Sequence, residues 1–219
     1  MKKYKNILKD REDAANKLID VIPMQRLKDE AWSFVAVSKG GLELAYFIRK
    51  KLQNKLDILF SEAIMAPKND ECEIARVSEK EEIVINEQLV RAFEVKYDYI
   101  YGEAHRKHEE QILTSIYQYR KGQPFESMQD RVVMLVDEGS ETGFKFMTAL
   151  KTILAMKPKA VYIAVPVLPT DTLDVLEPYA DDIFYLYHID DYVQTDLYYE
   201  NLKIVSDENI EKYLEEKGN

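Results

Sequence analysis

Residues 131–145 read RVVMLVDEGSETGFK, an apolar run that ends in two adjacent acids and a turn flanked by glycines. A strand that only fills a core has no use for Asp137 and Glu138 at its exit, because burying unpaired carboxylates costs several kcal/mol. The residues that follow, Gly139, Ser140, Glu141, Thr142 and Gly143, lead into a helical pattern. Successive backbone N–H groups in such a turn, together with a helix N-terminus, can cradle a phosphate. Carboxylates beside that cradle can accept hydrogen bonds from vicinal hydroxyls, so a phosphorylated sugar suits the pattern. The plainer alternative is that the two acids begin a capped loop. A second stretch, Ser38-Lys39-Gly40-Gly41, also follows an apolar run and opens a helix, aiming amides and one ammonium at an anion. A Gly-Gly turn alone is weak; two such exits on one sheet carry more weight.

The elements that would position these residues follow from periodicity. Short apolar runs at Phe34–Val37, Leu56–Phe60, Val132–Val136, Ala160–Val165 and Ile183–Tyr187 read as strands buried on both faces. Leu42, Ala45, Tyr46, Ile48 and Leu52 have helical spacing, as do Phe146, Leu150, Ile153 and Leu154. Strand and helix in alternation predict an α/β fold, a mainly parallel, Rossmann-like sheet flanked by helices. Ligands of such sheets sit at the carboxyl ends of the strands, where both stretches lie. The interval from 61 to 131 is longer than a connection requires and is expected to carry a strand at Ile83–Ile85, a short helix near Asn86–Phe93 and a longer one near Glu103–Arg120. It reads as a lid-bearing insertion within a single domain spanning 1–219. Residues 188–219 read as a Tyr-rich C-terminal extension, a small hood, closing with an amphipathic helix around Glu208–Glu216.

Composition excludes several classes. A formal charge of −10 over 219 residues argues against nucleic-acid or anionic-membrane binding, which needs a basic surface. The single cysteine, Cys72, cannot form an internal disulfide or a zinc cluster, which fits a reducing cytoplasm. No run approaches the roughly 18 apolar residues of a membrane span, and the start MKKYKNILKDRED lacks the apolar stretch of a signal sequence. His105, His108 and Glu109 lie on the long helix but lack a zinc-protease order and a third ligand, so they read as a solvated face. Tyrosines 97, 99, 101, 117 and 119 could stack on a base or pack against the insertion's stem. Neither glycine stretch has the spacing of a Walker or dinucleotide motif.

The acidic loop resembles the phosphoribosyl pyrophosphate signature of type I phosphoribosyltransferases: apolar strand, two acids, a small-residue loop, then Thr-Gly. SKGG resembles the pyrophosphate loop of the same enzymes. The likeness runs over almost the whole chain to an uncharacterised bacterial branch, through MAPKNDE, INEQLV, YRKGQP, AVPVLPTDTL and YYENLKIVSDE. It implies the type I phosphoribosyltransferase fold and transfer of the 5-phosphoribosyl group from phosphoribosyl pyrophosphate to a nitrogenous base, with pyrophosphate released. It gives Asp137 and Glu138 the ribose hydroxyls and the developing charge at the anomeric carbon, and Gly139, Ser140, Thr142 and Gly143 the 5-phosphate, with Glu141 inside that loop. Ser38, Lys39, Gly40 and Gly41 would hold pyrophosphate. Magnesium would be held through the substrate's pyrophosphate and ribose, not by direct protein ligands. A homodimer is compatible with this reading.

The departures are specific. Glu141 stands where small neutral residues are usual, and Lys145 where a second hydroxyl residue is usual. A carboxylate about 4 Å from a phosphate costs roughly 1 to 4 kcal/mol per charge pair. So Glu141 turns outward, or Lys145 offsets it, or no phosphate binds. Glu62-Ala63 replaces a basic pair near the pyrophosphate, and the run ending at Val165 is followed by Pro166, Val167 and Leu168, not by a lysine used against purines. A non-catalytic binding or regulatory protein with a degenerate phosphate loop is the competing expectation.

Overall fold

The computed structural model describes residues 7–23, 25, 32–50 and 54–216. Leu52, expected on a helix face, lies outside them, as do residues 1–6 of the N-terminal stretch and 217–219 of the C-terminal extension. The described strands are β1 (Trp32–Ala36), β2 (Lys55–Ile58), β3 (Ser61–Ala66), β4 (Asn69–Ser78), β5 (Ile83–Ile85), β6 (Val132–Val136), β7 (Ala160–Pro169) and β8 (Asp182–Ile189). The helices are α1 (Arg11–Val21), α2 (Lys39–Arg49), α3 (Glu87–Ala92), α4 (Tyr97–Lys107), α5 (Leu113–Arg120), α6 (Phe144–Ala155), α7 (Thr170–Leu176) and α8 (Asp207–Glu215). A π-helical turn, His108–Ile112, joins α4 to α5, so the longer helix of the insertion begins at Tyr97, earlier than expected.

The five apolar runs form one sheet in the order β2-β1-β6-β7-β8, with every pair parallel. Strand alternation sends Trp32, Phe34, Met134, Val136 and Ala164 to one face, under Ala14 and Leu18 of α1 and Leu44 and Ile48 of α2. Val35, Val133, Leu135, Val161 and Ile163 go to the other, under Phe146, Leu150 and Ile153 of α6. Burial on both faces is why these runs are continuously apolar. This is the helix-flanked parallel sheet that the resemblance implies. The chain leaves β1 through α2 on one face and leaves β6 through α6 on the other, so neighbouring strands depart in opposite senses. A crevice opens between their carboxyl ends.

The insertion carries an antiparallel sheet, β3-β4-β5. The expected strand and helices are present, but the β3–β4 hairpin escaped the pattern because SEAIMA and NDECEIARVS mix charged with apolar residues along half-exposed strands. Ile64, Ile74 and Val77 share a core with Leu42 and Tyr46 of α2, Ile100 and Ala104 of α4, and Ile210 and Tyr213 of α8. β7 also runs four residues past its expected end, so Pro166, Val167 and Leu168 are buried strand residues. β6 flanks β7 only as far as Ala164, so the missing N–H of Pro166 removes no bond to that neighbour.

A buried ion network ties the insertion to the sheet. Glu79 pairs with Arg120 and accepts the N–H of Phe60 at 3.0 Å, while the Arg120 guanidinium lies over the rings of Phe60 (5.2 Å) and Phe125 (5.6 Å). Asp57 stands 4.0 Å from Arg120, and burial pushes its carboxyl up to about 6. Between roughly pH 4 and 6 the folded state therefore binds more protons at Asp57 than the unfolded chain, and stability falls as pH rises through that window. Urea denaturation across this range should show wild type losing about 2 kcal/mol relative to Asp57→Asn; parallel curves would contradict the shift.

Gly41 brings α2 against the end of β6. A Cβ there would stand 2.4 Å from the Val136 carbonyl and 2.9 Å from the Asp137 Cα, both backbone atoms. Gly41→Ala should cost about 1 to 3 kcal/mol or more in urea denaturation. Gly102→Ala, in a helix interior with open space around it, should be stabilising by up to about 1 kcal/mol.

Candidate functional site

Because Ala36 pairs with Val136, the exits of β1 and β6 lie side by side. Ser38 caps α2: its Oγ accepts the Gly41 N–H at 2.9 Å and donates to Asp137 Oδ1. Asp137 is fully buried; the same oxygen accepts the Glu138 N–H at 2.9 Å, and its Oδ2 receives the Lys145 ammonium at 3.2 Å. Both oxygens of Asp137 are thus engaged inside the chain. The Asp137 charge raises the Lys145 pKa against the lowering effect of burial.

Glu138 has a different partner. Its Oε2 is held by the Arg11 guanidinium of α1, which also pairs with Glu43 at 2.9 Å and donates to the Lys203 carbonyl at 2.7 Å. Its backbone carbonyl accepts from the Tyr199 hydroxyl at 2.7 Å. Burial raises the Glu138 pKa, as does the Asp137 charge, while Arg11 opposes the shift. The Glu138 side chain lies over Gly40, where a Cβ would overlap its carboxylate. Gly40 and Gly41 therefore serve close packing of α2 against β6 and Glu138.

The acidic turn is partly covered: Gly139 and Ser140 are buried, and Thr195 and Tyr192 stand over Gly139. The N–H groups of Gly139, Ser140, Glu141 and Thr142 have no hydrogen-bond partner among the described residues, while that of Gly143 is taken by Ser140 Oγ at 3.2 Å. They precede α6, whose axis adds positive potential at this end. Glu141 is exposed, and its Oε1 accepts the Thr195 N–H at 3.1 Å. Lys145 pairs with Asp137 instead.

Lys39 points elsewhere. Its ammonium reaches the Tyr119 hydroxyl of α5 at 2.6 Å and Asp207 of α8 at 3.3 Å, joining the SKGG turn to the insertion and the C-terminal helix. Glu62 on β3 is half-buried, and burial raises its pKa while Lys107, Arg76 and Lys39 counter its charge. A cavity of about 320 Å³ opens here, lined by Arg11, Ser38, Lys39, Gly40, Glu138 and Lys203 among others. The structure thus places Ser38, Lys39, Gly40 and Glu138 on one cavity, which Gly41, Asp137 and residues 139–143 do not line.

Arg11 and the hood residues Thr195 and Tyr199 were absent from the sequence reading. Arg11 reaches an acid 127 positions away, which no local pattern signals. His105 pairs with Glu109 at 3.4 Å on an exposed face, whereas His108 contacts the Glu79 carbonyl at 3.2 Å. Among the described residues no cluster of three or more His, Cys, Asp or Glu could hold a metal ion, and no helix is long and apolar enough to cross a membrane. Tyr97 and Tyr101 are exposed and stack on each other at 6.4 Å, while Tyr99 donates to the Met65 carbonyl at 3.1 Å.

A parallel sheet with an acid pair at a strand exit is the arrangement that the resemblance to type I phosphoribosyltransferases implies. The chain is 24% identical over 206 residues to proteins of two Mycobacterium tuberculosis strains, CDC 1551 / Oshkosh and H37Rv, that are provisionally named phosphoribosyl transferases. The match covers 94% of this chain and 46% of each relative, so the chain spans about half the length of the curated relatives it matches. It is also similar to the crystal structure of the Thermus thermophilus protein TT1426, with 26% identity, a TM-score of 0.76, and 96% of this chain and 98% of that one covered. No family model matches the sequence. The resemblance read from the acidic loop therefore extends along nearly the whole chain.

Arg11→Met removes the cation that answers Glu138, whose side chain is 18% exposed. Breaking such a pair from one side costs about 3 to 5 kcal/mol. Urea denaturation should show that loss for Arg11→Met, with most of it recovered in Arg11→Met/Glu138→Leu. Equal loss in both variants would mean that Arg11 acts through Glu43, the Lys203 carbonyl or packing, and not through Glu138.

Proposed function

We propose that the chain is a phosphoribosyltransferase that takes phosphoribosyl pyrophosphate as donor and a nitrogen nucleophile as acceptor. One observation carries the reading: four unpartnered amides, Gly139 to Thr142, at the mouth of α6 beside the acid pair. In this reading those amides hold the 5-phosphate, and the N-terminus of α2 with Lys39 and Arg11 faces the pyrophosphate. Glu138 Oε1, which has no hydrogen-bond partner among the described residues, accepts from a ribose hydroxyl. Asp137, being sealed, sets the loop and contributes its charge through Lys145. The carboxylates lower the energy of positive charge developing at the anomeric carbon as pyrophosphate departs and the acceptor nitrogen bonds there. Hood and insertion surround the crevice, in keeping with exclusion of water.

Magnesium is assigned to the donor's pyrophosphate, where a hard cation neutralises the leaving group. The described residues do not fit a directly held ion: both oxygens of Asp137 and one of Glu138 are already bound to the chain's own donors. The same observation favours a second reading, a phosphoribosyl-ligand binder without transfer chemistry, because both acids already have intramolecular cations.

Isothermal titration with phosphoribosyl pyrophosphate and magnesium should give saturable heat at or below millimolar donor. A screen of purine, pyrimidine and nicotinate-like bases should then give pyrophosphate release that falls at least 100-fold in Asp137→Asn. Binding without release from any base supports the second reading, and no heat at millimolar donor overturns both.

A further inference from the structure

We propose that Lys145 is the built-in countercation of the acidic turn, doing by charge what a divalent ion between acids and ribose would do, so that the sugar-phosphate end of the site binds without metal. The inference rests on the phosphoribosyl reading only for the identity of its ligand. Three observations carry it. The ammonium stands 3.2 Å from Asp137 Oδ2, and Asp137 is fully buried with its other oxygen engaged by Ser38 and the Glu138 N–H, so an incoming ion would have to evict Lys145 to reach it. The Lys145 side chain is 38% exposed and its ammonium has no hydrogen-bond partner besides Asp137 among the described residues, which leaves donors for a ligand. Lys145 is also the second residue of α6, where the helix dipole disfavours a cation, so helix stability does not account for it. The neighbouring acid, Glu138, has Arg11 in the same capacity. Asp137, Arg76 and Glu138 are the charged groups that act most strongly on Lys145, and the exposed Glu141 is turned to Thr195.

The test uses the full chain, with ribose 5-phosphate as probe because it lacks the pyrophosphate that itself binds metal. Titration calorimetry of wild type in EDTA and in 5 mM magnesium should give affinities within about twofold of each other. Lys145→Met should bind at least tenfold more weakly in EDTA and regain part of the loss in magnesium; Lys145→Arg, which keeps the charge, should stay near wild type. Because Lys145→Met leaves Asp137 buried and unpaired, its fold is checked by circular dichroism, and Lys145→Met/Asp137→Asn supplies a neutral pair should the single variant unfold. A second measurement does not depend on the sugar: the electron paramagnetic resonance signal of Mn²⁺ should stay that of the free ion with wild type and be depleted by Lys145→Met. A wild type that takes up Mn²⁺ as the variant does, a folded variant that gains none, or wild-type ribose 5-phosphate binding that collapses in EDTA overturns the proposal. Wild type that binds no ribose 5-phosphate in either buffer overturns the phosphoribosyl reading instead, and the Mn²⁺ result then decides the role of Lys145 alone.

Discussion

The junction of Ser38, Asp137 and Lys145 is the constraint on which the site depends. A fully buried carboxylate at a strand exit is tolerable only if each oxygen meets a donor, and here a helix cap, a backbone amide and an ammonium supply them. Those three donors come from α2, the acidic turn and α6. Satisfying one side chain therefore fixes how the helices on opposite faces of the sheet meet at the switch point. The turn between β6 and α6 is left with four backbone amides that have no hydrogen-bond partner among the described residues.

Charge compensation extends from that junction across the crevice. Glu138 is answered by Arg11, and Lys39 by Asp207 with Tyr119, contacts that each bridge two elements. N-terminal helix, insertion and C-terminal hood are each tied to the site by one such pair. An arriving anion would find N–H groups free and ammonium groups shared, which favours recognition through the backbone with side-chain charges redistributing around it. The overall charge of −10 does not conflict with this, since the local field at helix ends is set by dipoles and nearby cations.

The insertion shows how architecture and electrostatics are coupled. Its hairpin and helices pack a core against α2 and α8, while Glu79, Arg120 and Asp57 form a polar anchor with the edge of the main sheet. Tyr119 extends from the same helix as Arg120 to the Lys39 ammonium. Displacement of that helix would therefore disturb both the anchor and the rim of the crevice.

Periodicity alone determined the α/β class, the central strands and their register of burial, because a strand covered on both faces must be apolar throughout, as Val132–Val136 is. It also located the acidic turn and the SKGG turn, since charge and glycine at a strand exit stand out against such runs. The β3–β4 hairpin was not legible, because its half-exposed strands carry no clean alternation. Local sequence could mark Glu141 and Lys145 as unusual but could not say where either points: Glu141 reaches Thr195, 54 positions away, and Lys145 reaches Asp137 across the turn. The partner of Glu138 was equally hidden, because Arg11 is brought to it only when α1 docks on the sheet. Strand order decided which exits become neighbours, and hydrogen-bond satisfaction of buried charge decided which side chains meet there; both are properties of the folded chain as a whole.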